Sequence, residues 1–213
     1  MCARYTVFTE EEIIEIRSII AEVSRKFGDD AVATGEISPT DHAPILTMDG
    51  GCLVPRPVSW GFPKWDGKGV LINARSESAL EKPMFAEALL TRRCVIPSTG
   101  FYDWANYREP EAQLSLFPDD IRPNAKPQKI KLRFRRPNES MLYMAGMIGR
   151  FTGADGQEKD CFIILTTAAS ESMARFHDRM PVILTADEHE DWINSDTFMR
   201  EVLVREGSVL ESC

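Results

Sequence analysis

The sequence is short of the residues that build metal centres and covalent frameworks. It has three histidines, His42, His177 and His189, in no H-E-x-x-H or comparable spacing, so no metal site is expected. Five cysteines (Cys2, Cys52, Cys94, Cys161, Cys213) are an odd number, widely scattered, without a C-x-x-C pair. They read as reduced, mostly buried thiols rather than a disulfide or zinc framework. The apolar runs are strand-sized, Phe162 to Leu165 being typical, and no basic stretch followed by an apolar one opens the chain. Neither a membrane span nor a signal peptide is therefore expected, and the chain reads as cytoplasmic. Positive charge is also in deficit: 33 acidic against 25 basic side chains leave a net charge of -8. That excludes a global attraction to nucleic acid, and any such site must be a local basic patch.

What is present suffices for a real core: 213 residues, 43% of them hydrophobic. Thr9 and Glu12 have capping-box spacing, and Ile13, Ile16, Ile20, Val23 and Phe27 recur at helical intervals until Gly28. This predicts a long amphipathic helix with a core-facing stripe. From Gly35 to Trp65 short apolar runs alternate with prolines and glycines. Ile45–Met48 and Cys52–Val54, joined through Asp49-Gly50-Gly51, read as a hairpin. In Trp60-Gly61-Phe62-Pro63-Lys64-Trp65, Trp60 reads as core and Trp65 as exposed. Exposed aromatics in a loop are able to stack on unpaired bases at roughly 1–3 kcal/mol each.

A strand over Gly69–Ile72 leads into Asn73-Ala74-Arg75-Ser76-Glu77, a polar segment that a rigid strand would hold in position. A helix is predicted around Pro83–Arg92, then strand Cys94–Pro97. In Phe101-Tyr102-Asp103-Trp104, alternation sets Phe101 and Asp103 on one face. Asp103 is then either a structural hydrogen-bond acceptor or a catalytic acid/base. Tyr107–Gln128 is Pro- and charge-rich, a long surface loop. Lys129, Lys131, Arg133 and Arg135 follow on one face of a strand, an ordinary solvated face or a phosphate track. Met141–Ile148 and Cys161–Leu165 are core strands flanking a Gly153–Gly156 hairpin turn. A short helix over Ala168–Phe176 precedes His177-Asp178-Arg179-Met180-Pro181. Thr185 and Glu188 have the spacing of a second capping box, for a helix on which His189 reads as exposed.

The first four residues carry the most specific chemistry. A small second residue permits removal of Met1, which would leave Cys2 with both a free α-amine and a thiol. Their unperturbed pKa values, about 8 and about 8.5, make both usable near neutral pH, and Arg4 favours the thiolate. An aldehyde captured as an imine by the amine is open to attack by the sulfur, closing a five-membered thiazolidine. The alternative is that Cys2 is an accident of a chain terminus.

The set Met1-Cys2-Ala3-Arg4-Tyr5, Trp60-Gly61-Phe62, Asn73-Ala74-Arg75-Ser76-Glu77, Pro97-Ser98-Thr99-Gly100-Phe101-Tyr102-Asp103-Trp104 and His177-Asp178-Arg179-Met180-Pro181 resembles the SOS response-associated peptidase (SRAP) family. The motifs stand in the family's order from Cys2 to about Trp192. The resemblance implies an α+β fold with a strongly curved, mainly antiparallel, barrel-like β-sheet and flanking helices, a single domain over residues 1–213. It implies binding of single-stranded DNA and capture of abasic sites as a thiazolidine DNA-protein crosslink, with a possible AP-lyase activity and no cofactor or metal. Carried over, Cys2 is the nucleophile, Asn73 orients the reacting groups, and His177 and Asp103 are the acid/base candidates. Arg4, Arg75 and Arg179 hold phosphates, while Pro39 and Trp65 contact bases; the partner is abasic single-stranded DNA and the chain reads as a monomer.

The chain departs from the family at several points. Asp103 stands where Glu is usual, Ala3 where Gly is usual, and Glu36-Ile37-Ser38-Pro39 where Asn-x-x-Pro is common; family members generally continue past the last helix with a further strand, which this sequence is expected to lack. Two other function classes stay open: a thiol autopeptidase using Cys2, and a non-catalytic single-strand binding module indifferent to Cys2.

Overall fold

The structure, a computed structural model, describes residues 3–9, 13–107, 128–153 and 156–212. Strand β1 (Arg4–Val7) is followed by helix α1 (Ile14–Phe27), β2 (Gly35–Ile37) and a long hairpin of β3 (His42–Asp49) and β4 (Cys52–Trp60). A short hairpin, β5 (Phe62–Pro63) and β6 (Val70–Leu71), runs into β7 (Asn73–Arg75). After a 3-10 turn and α2 (Pro83–Thr91) come β8 (Arg93–Ser98), β9 (Gly100–Tyr107), β10 (Gln128–Arg135), β11 (Leu142–Thr152) and β12 (Glu158–Ala168). The remaining elements are α3 (Glu171–Ala174), β13 (Arg179–Pro181), β14 (Ile183–Leu184), α4 (His189–Asn194), α5 (Asp196–Leu203) and β15 (Glu211–Ser212).

The strands make the expected curved, mainly antiparallel α+β fold. Pairings β12–β4, β4–β3, β3–β8, β8–β11 and β11–β12 close a five-stranded barrel, in which only β4–β12 is parallel. A second antiparallel sheet has the order β15-β10-β9-β1-β2. The chain passes from barrel to sheet between Ser98 and Gly100. Thr99 pins the crossing, its N–H donating to Thr6 O at 2.8 Å and its hydroxyl lying 2.8 Å from that of Thr6. Gly100 has φ 148°, and a Cβ there would stand 2.8 Å from Phe134 O, so only glycine lets β10 approach.

The β3–β4 turn follows from its two glycines. Asp49 pairs with Cys52, leaving Gly50 and Gly51 at φ 58° and 84°, the positive values a two-residue turn demands. Both strands run further than the prolines suggest. Pro44 faces Pro57 and Leu46 faces Pro55, all at one parity of the ladder. A proline has no N–H to exchange, so these are the non-hydrogen-bonded pairs. β4 meets β12 only at Ser59 and Trp60, so no second ladder loses a donor at Pro55 or Pro57.

Several other expectations are corrected. Helix α1 starts at Ile14 with Ile13 as its N-cap and no side-chain cap bond, so Thr9 does not cap it; Glu12 lies outside the described residues. Gly28 ends the helix as predicted, but Phe27 is 53% exposed. His189 is buried, its ring 4.2 Å from that of Tyr143 on β11, because α4 packs its first turn onto the barrel. The Thr185–Glu188 capping box is present. The strand expected to be lacking past the last helix is supplied by the two-residue β15 at Glu211–Ser212. Of the described cysteines, Cys94 and Cys161 are buried and Cys52 is exposed. The predicted 107–128 loop and the centre of the Gly153–Gly156 turn lie almost wholly outside the described residues. No helix among the described residues is long and apolar enough to cross a membrane.

Candidate functional site

The end of β12 gathers four of the residues singled out in the sequence. β7 runs parallel to β12 on one side, setting Asn73 beside Ile164 and Arg75 beside Thr166. β13 runs antiparallel to it, with Arg179 opposite Ala168 and Pro181 opposite Thr166. Alternation along β7 sends half-buried Asn73 and exposed Arg75 to one face while Ala74 enters the core. The predicted single strand through Ile72 is in fact two short ones, because the chain leaves the β5–β6 hairpin at Ile72 to join β12.

Arg179 is already engaged. Its Nη1 donates to Glu77 Oε1 at 2.5 Å and its Nη2 to Glu77 Oε2 at 2.8 Å, a bidentate pair. Nη2 also donates to Thr166 O at 2.6 Å, and the side chain is only 12% exposed. The Arg179 hydrogen bonds hold the Glu77 carboxyl below the usual carboxylate range against the opposing effect of burial, with the charge of Arg75 assisting. Two cations thus face this carboxylate.

His177 sits two residues before Arg179, in the turn between α3 and β13. Its Nδ1 accepts the Arg179 backbone N–H at 2.9 Å and lies 2.8 Å from Asp178 Oδ1. These contacts demand different proton states: the N–H needs a lone pair on Nδ1, whereas the carboxylate needs a proton there. The imidazole therefore has a partner in either state.

Arg4 and Asp103 lie on the second sheet. Arg4 pairs with Tyr102 and Tyr5 with Phe101. Phe101 and Asp103 share the buried face of β9, as alternation predicts, and Asp103 Oδ1 accepts the Trp104 N–H at 2.8 Å. Arg4 is on the other face, where its Nη1 donates to Glu36 Oε1 at 2.5 Å. Glu36 Oε2 also bonds Lys131, whose ammonium stands 4.0 Å above the Tyr102 ring. Hydrogen bonding from Lys131, then from Arg4, holds the Glu36 carboxyl below its ordinary value despite partial burial.

Aromatic contacts tie the two groups together. Tyr5 packs edge-on against Trp60 at 5.1 Å, and the Trp60 indole N–H donates 3.1 Å to Ile72 O, one residue before Asn73. On the other flank Phe101 stacks on Phe134 at 5.5 Å, and Phe134 meets Phe176 at 5.2 Å, one residue before His177. Such pairs add about 0.5–1.5 kcal/mol beyond area burial. The strand carrying Arg4 is thus positioned by the side chain that positions Asn73, and the strand carrying Asp103 by the one that positions His177.

Pro39 and Trp65 leave the fold from neighbouring points beside Trp60. The Pro39 turn is held by Thr40 N–H to Trp60 O at 2.8 Å, with Thr40 at φ 79°, an uncommon value for a β-branched residue. Trp65, 94% exposed, sits at the tip of the β5–β6 hairpin. Cys2 lies outside the described residues. Sequence reasoning missed the bidentate Glu77 contact, although Glu77 and Arg179 both stand in quoted motifs, and the double contact of Glu36 with Arg4 and Lys131. Among the described residues no group of His, Cys, Asp or Glu side chains is arranged to hold a metal ion.

Comparison with known proteins bears on the family and the fold. The family described as SOS response associated peptidase (SRAP) matches residues 1–208. The chain is 33% identical over 206 residues to the abasic site processing protein YoqW of Bacillus subtilis (strain 168), spanning 91% of this chain and 80% of that one. It is 24% identical to the abasic site processing protein YedK of Escherichia coli (strain K12), over 94% and 83% of the two chains. A crystal structure of a Bacteroides thetaiotaomicron protein shares the fold with a TM-score of 0.73 at 22% identity, covering 99% of this chain and 90% of the other. With the family match running through residues 1–208, nearly its whole length, the chain belongs to the SOS response associated peptidase (SRAP) family.

Proposed function

We propose that this protein captures abasic sites in single-stranded DNA by covalent crosslinking through Cys2 after removal of Met1. The ring-opened abasic sugar presents an aldehyde. The Cys2 amine condenses with it, releasing one water and leaving an imine. The thiol then adds across the C=N bond, its proton passing to nitrogen, and the thiazolidine closes with no net redox change. The observation that carries this reading is the anchoring of β1: Tyr5 packs on Trp60, which bonds to the carbonyl preceding Asn73, and Arg4 pairs with the strand that bears Asp103. The names of the family relatives, abasic site processing proteins, support the same substrate.

In this reading Asn73 orients the aldehyde, and His177, with a partner in either proton state, moves protons during ring opening and crosslink reversal. Asp103 is the second acid/base, Arg75 and Arg4 meet phosphates, Arg179 meets one by sharing with or displacing Glu77, and Pro39 and Trp65 engage bases. The chain acts as one domain and as a monomer. Denaturing electrophoresis with abasic and with intact single strands tests this. An adduct is expected with abasic strands alone, and Cys2→Ser is expected to yield one only when borohydride traps its imine. A Cys2→Ser protein that gives a stable adduct without reductant refutes the thiazolidine, and the absence of any adduct from either strand favours a binding module.

A further inference from the structure

The barrel opens at its other end into a basic mouth that the abasic-site chemistry does not use. β4 and β12 are paired only where Ser59 and Trp60 meet Cys161 and Phe162; before these residues the strands part. The gap is a cavity of about 560 Å³ lined in part by Arg56, Arg150, Glu158, Lys159 and Asp160. That volume is in the range of small-ligand sites. Three arginines converge on Asp160 from different elements. Arg56 Nη2 on β4 lies 2.7 Å from Oδ2, Arg92 Nη2 ahead of β8 lies 2.7 Å from Oδ1, and Arg150 Nε on β11 lies 3.2 Å from Oδ1. Arg150 also meets Glu158 at 3.5 Å.

One carboxylate cannot accept all that three guanidiniums offer, since each carries a fork of N–H donors. Burial alone would raise the Asp160 pKa, but hydrogen bonds from Arg92, Arg56 and Arg150 outweigh it and lower it to about 2. The charges do not cancel either: among the described residues the three guanidiniums gathered on Asp160 meet one further carboxylate, Glu158, at Arg150. A cationic excess in a cleft, on a protein of net charge -8, is what an anion site requires. Forked guanidinium donors match phosphate oxygens in particular. Asp160 and Thr166 stand six positions apart on β12, about 20 Å at the usual strand rise. The mouth is therefore separate from the Arg75–Arg179 group.

We infer that the mouth lined by Arg56 and Arg150, with Arg92 holding Asp160 from outside the cavity lining, is a second binding site, which takes a phosphate group presented either as a free anion or on a nucleic-acid strand. Asp160 gathers the arginines and sets a limit on their affinity. The inference does not rest on the crosslinking reading. It is tested by calorimetric titration of the full chain with inorganic pyrophosphate. Arg150→Gln, at a side chain 54% exposed and therefore least needed for folding, is expected to weaken binding about tenfold, and Arg56→Gln as much or more. Asp160→Asn, which removes the competing carboxylate, is expected to tighten it severalfold.

A purely structural ion cluster predicts lower melting temperatures for Asp160→Asn and Arg56→Gln with no opposed changes in affinity. Absence of pyrophosphate binding by the parent at millimolar concentration overturns the proposal, as does an unchanged affinity in folded Arg150→Gln or weaker binding in Asp160→Asn. The source of the phosphate is read from intact single strands. If Arg150→Gln also flattens their log-log salt slope by about 0.7, the group belongs to a nucleic-acid strand. If only pyrophosphate binding changes, it is a free anion.

Discussion

Glu36→Gln is expected to strengthen binding to intact single-stranded DNA while slightly lowering thermal stability. Glu36 bonds both Arg4 and Lys131 on the exposed face of the sheet, with side-chain exposures of 30%, 41% and 37%. A phosphate approaching Arg4 must displace this carboxylate. Exposed ion pairs are worth about 0.2–1 kcal/mol each, so two of them oppose binding by about 0.5–1.5 kcal/mol. Removing them should lower the Kd about threefold to tenfold, and the folded protein should lose a similar amount of stability. In the parent, Lys131 and Arg4 hold the Glu36 pKa below its ordinary 4.5. The carboxylate therefore competes throughout the neutral range, and the parent should gain affinity only as pH falls through that lowered value. Fluorescence anisotropy with an intact oligonucleotide over a salt series reads the effect. Glu139→Gln, whose carboxylate pairs with Arg136 instead, controls for simple loss of negative charge. A Glu36→Gln protein that binds no more tightly than this control refutes the argument that Glu36 occupies the phosphate position.

Arg75→Ala is expected to flatten the log-log salt slope for single strands by about 0.7 with little change in melting. Arg179→Ala should flatten it similarly and also lower the melting temperature, because the bidentate Glu77 contact and the bond to Thr166 O are lost; an unchanged slope in either variant removes that residue from the DNA site. Asp103→Asn should slow adduct formation in single-turnover crosslinking without weakening binding to intact strands, and Asp103→Glu should match or exceed the parental rate. A misplacement of about 1 Å can change a rate about a hundredfold, so a folded Asp103→Asn protein with the parental rate makes Asp103 purely structural. Asp160, lowered from 3.8 to about 2, contributes stability that is fully present above pH 3.8 and lost as pH falls toward 2. Discounted for solvent at the cleft mouth, it is worth about 1–2 kcal/mol, and acid titration of Asp160→Asn, followed by circular dichroism, should lack that component.

Local signals in the sequence suffice where local chemistry decides the outcome. Gly50-Gly51 forces a two-residue turn, alternation buries Asp103 with Phe101, and Thr185 with Glu188 caps a helix. The barrel was legible only through the family motifs, since its closure depends on β12 pairing with β4, about a hundred residues away and with no local signature. Prolines at 44, 55 and 57 looked like breaks because a single strand does not reveal which side of it is unpaired. His189 reads as exposed from its acidic neighbours, yet the surface that buries it belongs to Tyr143. The site divides the same way. Asn73, Arg75, His177 and Arg179 were evident as motif residues, whereas the carboxylates that engage Arg179 and Arg4 become evident only when β2, β10 and β13 are in place.

The central claim is that a free α-amine on Cys2 carries the chemistry. Two preparations of the same chain settle it, one shown by intact mass spectrometry to begin at Cys2 and one to retain Met1. Each is mixed with an abasic single strand and resolved under denaturing conditions. The protein beginning at Cys2 is expected to form the adduct, and the protein retaining Met1 to form none that survives denaturation. Equal crosslinking by both would contradict the account, because an acylated Cys2 nitrogen cannot form the imine.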